Sequence, residues 1–210
     1  MKSLCVFVLC WTFSGIVSAK SSVFSVKQGD PLILLQEKKT ASFEIDYSQM
    51  MVTEGKDHDY DLPFHEWMIS RDEDSDKWLK DWEEKDSIKC NGEFRDKFND
   101  EVDKAIKLTK LGKDYHLVLR FTMVDFGGSV KWTPKKGMSG GTAEADGEIE
   151  LRDKKTNEVL LVLSFNKLQG EDSFKQIGRL IGLFENLGEQ LNEYLKDYQK
   201  QQKKLNKQKK

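Results

Sequence analysis

Two stretches decide the fold: Tyr115-His-Leu-Val-Leu-Arg-Phe-Thr-Met-Val-Asp125 and Val159-Leu-Leu-Val-Leu-Ser-Phe-Asn-Lys-Leu168. In the first, Tyr115, Leu117, Leu119, Phe121 and Met123 recur at period two, the spacing of a strand with one buried face. The second is the most apolar segment of the chain and is expected to be a central strand. Between them, Thr142–Leu151 alternates polar residues with Ala143, Ala145, Ile149 and Leu151. The five-residue link Asp153–Asn157 is short enough to join the last two strands as a hairpin.

Upstream, Ala41-Ser-Phe43-Glu-Ile45-Asp-Tyr47 alternates in the same way and predicts another strand. Ser70-x-x-Glu73 matches a capping box, which predicts a helix carrying Trp78, Leu79 and Trp82 on one face. Asn91 is expected to cap a second helix in which Phe94, Phe98, Val102, Ala105 and Ile106 follow at helical spacing. Ser173-x-x-Gln176 starts a long helix with Phe174, Ile177, Ile181, Phe184, Leu191 and Leu195 as its inward stripe. The order β-α-α-β-β-β-α, with three strands joined by short links, predicts an α+β two-layer sandwich. Its sheet is expected to be largely antiparallel, with helices on one face.

Composition narrows the class. The chain has 210 residues, 38% apolar and 33% charged, with 3 Pro, 12 Phe, 5 Trp and 5 Tyr. Collagen-like, polytopic membrane and wholly disordered chains are excluded on those grounds. A net charge of −2 gives no support to nucleic-acid binding.

The N-terminus carries an address. Lys2 precedes an uncharged stretch, Leu4 to Val17, and Val17-Ser18-Ala19 places small residues where signal peptidase cuts. The stretch is too short for a membrane helix, and the bulky Leu9 before Cys10 does not fit a lipidation signal. Residues 1–19 are therefore expected to be a signal peptide, with an α+β domain over 20–195 and a Lys-rich tail over 196–210. The tail either continues the last helix or is disordered. The protein is expected to be exported, periplasmic or extracellular. Removal of Cys5 and Cys10 leaves Cys90 alone, so no internal disulfide forms. Asp86 and Glu93 oppose a thiolate there, and an inert thiol is expected.

Charge is unevenly distributed. Glu54–Asp86 holds 13 acidic residues against 5 basic ones, and Lys196–Lys210 holds seven Lys and one Asp.

The run Tyr115–Gly128, a Gly-rich loop and Ala145-Asp-Gly-Glu-Ile-Glu-Leu-Arg-Asp-Lys-Lys-Thr-Asn-Glu-Val-Leu160 resemble exported proteins of Bacteroidota. In those, an edge hairpin of the pattern Leu-x-Asp-x-x-Thr-Gly-x-Val-Leu precedes a C-terminal helix. More remotely, the chain is similar to the periplasmic nucleotide-free α/β domain of curli-secretion-type lipoproteins. The resemblance spans about residues 40–195 and implies the fold and an envelope location, but no catalytic residue. Asn157 stands where the pattern has Gly, and the lipid-anchor cysteine of the lipoproteins is missing.

Each chemical motif meets an objection. Gly137-Met-Ser139-Gly-Gly141 fits G-x-S-x-G, but a nucleophile elbow needs a strand before it, a helix after it and a downstream His. Here a loop precedes, a strand follows, and the last histidine is His116. Asp72-x-Asp74-x-Asp76 with Glu83 resembles a calcium loop, yet Lys77 occupies the position that needs Gly. Asp57, His58, Asp59, Asp61, His65 and Glu66 are suitable metal ligands without a spacing that fixes their geometry. Gly127–Gly141 reads as a flexible connection, with Lys131, Trp132, Lys135 and Lys136 as a candidate contact surface. No catalytic residue, metal site or cofactor is assigned. The expectation is a non-enzymatic exported interaction or envelope-structural module. Its partner would be a protein or envelope component, not nucleic acid, with an electrostatic contact through the Lys-rich tail. The alternative is a small-ligand or metal-binding protein using Asp57–Glu66 or Gly127–Gly141.

Overall fold

The computed structural model describes residues 23–53, 61–70, 75–101, 105–127, 131–133, 137–139 and 141–208. The signal-peptide reading falls outside them, as do Asp57, His58, Asp59, Asp72, Asp74, Val102, Lys135 and Lys136.

Strand β1 (Phe24–Gly29) is followed by a 3₁₀ turn (Pro31–Leu35) and by β2 (Thr40–Asp46). Short strands β3 (Met51–Thr53) and β4 (Leu62–Pro63) lead into α1 (Phe64–Ser70), α2 (Ser75–Asp81) and α3 (Ser87–Glu101). Strands β5 (Lys107–Leu108) and β6 (Tyr115–Asp125) come next, then a small ribbon of β7 (Lys131–Thr133) and β8 (Gly137–Ser139). The chain ends with β9 (Glu144–Asp153), β10 (Val159–Gln169) and α4 (Gln176–Gln208).

The main sheet has the order β1-β10-β9-β6-β2-β5, with β3 extending beside β6 and β4 beside β3. Strands β1, β10, β9 and β6 pair antiparallel in succession, whereas β2 and β3 lie parallel to β6. The class is α+β with helices packed on one side, and the sheet is mixed: its longest ladders, β6–β9 and β9–β10, are antiparallel, and parallel pairing enters where β2 and β3 join β6. The reason is connectivity: helices α1 to α3 separate β2 from β6, and a helical crossover returns the chain parallel. Strand β10 lies one place in from the edge, because β1, absent from the sequence reading, adds beside it.

The hairpin between β9 and β10 turns through Asp153–Asn157, with the Asn157 amide donating to the Asp153 carbonyl at 2.9 Å. Asn157 adopts φ +58°, the left-handed conformation for which Gly is the default and Asn the usual substitute. This explains how Asn serves at that position.

The core lies between sheet and helices. Leu117, Leu119, Phe121, Ile149, Leu151, Leu161, Leu163 and Phe165 are fully buried beneath Phe94, Phe98, Leu183, Phe184, Leu187 and Leu191. Phe121 stands edge-on to Phe184 at 5.0 Å and to Phe165 at 5.5 Å. Helices α3 and α4 approach closely at Gly188, where an added Cβ would lie 3.0 Å from the Phe94 carbonyl oxygen.

Three helix boundaries differ from expectation. Ser70 ends α1 instead of starting a helix, and its hydroxyl donates to the Trp67 carbonyl at 2.9 Å. Asn91 lies inside α3, not at its cap, because Ser75–Glu101 is continuous helix through a π turn at Trp82–Asp86. Ser173 lies outside α4 and accepts from the Lys175 amide at 3.4 Å. Phe174 is 62% exposed, whereas Phe184, Leu191 and Leu195 of the expected stripe are fully buried and are joined there by Leu180, Leu183 and Leu187.

Candidate functional site

With the helices on one face, the opposite face of the sheet carries its polar residues in register. Pleating sends alternate side chains there. Asp46, Arg120, Glu148, Ser164 and Ser25 form one row across β2, β6, β9, β10 and β1. The next row is Glu44, Val118, Glu150 and Val162, and the third contains Ser42, His116 and Arg152.

Opposite charges alternate within this array. Arg120 Nε donates to Asp46 at 3.0 Å, and the Arg120 guanidinium lies 3.8 Å from Glu150. Arg152 pairs with Glu150, and Lys27 pairs with Glu148. Glu150 is only 9% exposed, screened by the arginines on either side. The Ser48 amide and hydroxyl donate to Asp46, and these bonds, followed by the one from Arg120, hold its carboxyl below the ordinary carboxylate range. In turn, Asp46 raises the Arg120 guanidinium. Each exposed pair adds at most about 1 kcal/mol to stability, so the array's main effect is to fix side-chain geometry before any partner arrives.

At one corner, the Ser42 hydroxyl lies 2.9 Å from His116 Nδ1, and His116 Nε2 lies 3.5 Å from Glu44. These residue types can serve nucleophilic chemistry, but their setting differs from an acyl-transfer site. Ser42 stands mid-strand, and the amides of β6 face neighbouring ladders on both sides. An acyl oxyanion needs free N–H donors converging on it, as at a strained turn. The corner is suited to pinning an imidazole on a polar surface.

The residues singled out in the sequence lie elsewhere. Lys131 and Trp132 belong to the β7–β8 ribbon, in which Lys131 pairs with Ser139 and Trp132 with Met138. The segment expected to be a flexible connection thus contains paired strands. Ser139 ends β8, and the next element is strand β9. Asp76 and Lys77 are in α2 and Glu83 is in the π turn, a helical path that does not wrap an ion as a calcium loop does. His65 and Glu66 are exposed on α1, Asp61 precedes β4, and no group of three or more metal-ligating side chains occurs among the described residues. Cys90 is fully buried, and its thiol is pushed up first by burial and then by the charge of Asp86.

Near α1, Trp67 stacks on Phe126 at 4.7 Å and on Phe64 at 6.0 Å, while Trp82 meets Phe64 edge-on at 4.9 Å. With Trp78, Ile177 and Leu180 they line a crevice too narrow for a water-sized sphere. These rings fill one another and form a satellite of the core.

The sequence reading missed the polar array. Its signal is present in Ser42-x-Glu44-x-Asp46, His116-x-Val118-x-Arg120 and Glu148-x-Glu150-x-Arg152. Only the strand pairing shows that these triplets lie side by side.

No family model and no curated protein sequence matches the chain. Among solved structures, two crystal forms of the PelC dodecamer from Paraburkholderia phytofirmans are similar, with TM-scores of 0.36 and 0.34 and identities of 9% and 8%. They cover 80% of this chain and 95% and 96% of theirs. Likeness at that level assigns neither family nor function.

Proposed function

We propose that the chain is a non-enzymatic interaction module, exported by its N-terminal segment to the periplasm or cell exterior, that docks a protein partner on the open sheet face. The observation behind this reading is the ordered array of Asp46, Arg120, Glu148, Glu150 and Arg152 on the face away from the helices. Its mixed signs favour a protein surface of complementary alternating charge over a uniformly charged polymer. The four carboxylates Glu44, Asp46, Glu148 and Glu150 repel nucleic acid.

The test is site-specific photocrosslinking in the cell envelope. Probes at Glu44, Thr122 and Asn166, all exposed on the strands of that face, are expected to capture one common protein. Capture should be lost with Arg120→Asp. Equal crosslinking from a control probe at the exposed Glu193 of α4, or none from the sheet positions, would overturn the reading.

A further inference from the structure

Helix α4 does not end with the body of the protein. Its last fully buried side chain is Leu195, and the helix continues to Gln208. At 3.6 residues per turn, Lys196, Lys200, Lys203, Lys204 and Lys207 fall within an arc of about 100° and form a row about 16 Å long. All of these lysines are exposed.

The opposite side of the same turns fixes where that row points. Tyr194, Tyr198, Gln202 and Leu205 share that side. The Tyr194 ring lies 5.4 Å from Phe24 of β1 and 6.0 Å from Tyr198, whose hydroxyl donates to Asp30 at the head of the 3₁₀ turn. The body holds α4 by this side, so the lysines face away from it. Upstream on the lysine side, Lys97 of α3 holds Glu185 at 2.7 Å and Glu189 at 2.6 Å, and Glu193 is exposed. The cationic surface therefore begins at Lys196 and is confined to the last turns.

Within the helix this row opposes itself. Like charges three and four positions apart repel and weaken the helix that carries them. Lys200 meets Asp197 at 3.0 Å and Lys203 meets Gln199 at 3.2 Å, both partners on α4 itself. An anionic surface outside the protein relieves the repulsion, and the side chains select its kind. The arc holds no Arg to grip single phosphates bidentately and no aromatic ring on which bases or sugars stack. Ammonium groups confined to so narrow an arc meet a plane together, all within the screening length of about 8 Å at physiological salt. A groove that wraps the helix calls instead for charge on several of its sides.

We infer that the lysine face of α4 docks on the surface of a bilayer containing anionic phospholipid. Each lysine held near such a surface raises partitioning about fivefold, so the full row gives about three orders of magnitude. The whole chain has a net charge of −2, so the attraction is local to this face. It uses neither the sheet face nor its proposed partner, and the two readings fail independently.

Vesicle flotation of the full mature chain tests this. At about 50 mM salt the wild-type protein is expected to float with phosphatidylcholine vesicles that contain phosphatidylglycerol and not with phosphatidylcholine alone, and at about 300 mM salt its affinity should fall at least about tenfold. A variant that keeps the charge but moves it around the helix (Lys200→Gln with Gln201→Lys, Lys203→Gln with Gln199→Lys, Lys207→Asn with Asn206→Lys) should bind at least about fivefold more weakly. Circular dichroism confirms that this variant is folded, and the two vesicle types and two salt levels decide the matter on the wild-type chain by themselves. Equal flotation with both vesicle types, none at low salt, or a folded variant that binds like wild type would each overturn the inference. Tighter binding to a DNA duplex than to vesicles at equal phosphate concentration would also overturn it and assign the row to nucleic acid.

Discussion

The guanidinium of Arg179, in the first turn of α4, donates to the carbonyl of Phe126 just beyond the end of β6. Arg179 also donates through Nε to the Ser173 carbonyl at 2.8 Å and is only 3% exposed. A Cβ at Gly141 would lie 2.7 Å from the same guanidinium, so the strand leading to β9 passes directly against it. One buried side chain thus ties the start of the last helix to the end of the central strand.

Replacing Arg179 with Met leaves the Phe126 and Ser173 carbonyls without this donor. Loss of charge-assisted hydrogen bonds at a buried site is expected to cost about 2–4 kcal/mol. Urea denaturation measures it, and a change below about 0.5 kcal/mol would show that water or another side chain takes over the role.

Phe98 is fully buried between α3 and α4, 6.2 Å from Phe94, and the carbonyl of residue 98 accepts from Asn192 at 3.2 Å. Phe98→Ala is expected to destabilise the fold by about 3–5 kcal/mol, the range for truncating an aromatic residue in a rigid core. A loss under about 1 kcal/mol would mean that the α3–α4 seam closes over the cavity.

Acid should weaken the fold partly through Asp46 and Asp114. Hydrogen bonds from Ser48 and then Arg120 lower the first, and the Thr40 amide, then Lys39, lower the second. A carboxyl held below its unfolded value contributes stability that is complete above that value, about pH 4, and is lost as pH falls through the folded one. Stability should therefore decline below about pH 4, and Asp46→Asn should make that decline shallower. An unchanged acid limb in this variant would contradict the assignment.

Ser139 should not act as a nucleophile. Strand β9, not a helix, follows it, and His116 is engaged with Ser42 on the open sheet face. A fluorophosphonate probe is expected to leave the folded protein unlabelled, and Ser139→Ala should change stability by less than about 0.5 kcal/mol. Stoichiometric labelling that disappears on denaturation and in Ser139→Ala would establish an activating base supplied by the fold.

Features set by neighbours along the chain were legible in the sequence. The period-two pattern of Tyr115–Asp125 gave the long strand β6, and the inward burial of Leu117, Leu119 and Phe121 follows directly from it. Phe98 and Phe184 were identifiable as core residues because helical spacing places them on an apolar stripe. Asn91 and Ser70 misled because a capping side chain has the same identity inside a helix as at its end. Whether the helix continues past it depends on packing, as Trp82 and Phe94 show by burying on either side of Asn91.

Tertiary structure alone decided the rest. The parallel entry of β2 beside β6 joins residues about seventy positions apart, as in the Asp46–Arg120 pair, and no local pattern encodes that choice. The same pairing turns three unremarkable polar triplets into one charged array. Periodicity fixes which side of an element is buried, because that is a property of one backbone. Which elements meet depends on burial and hydrogen bonding summed over the whole chain, and in this protein those contacts position the polar side chains of the candidate site.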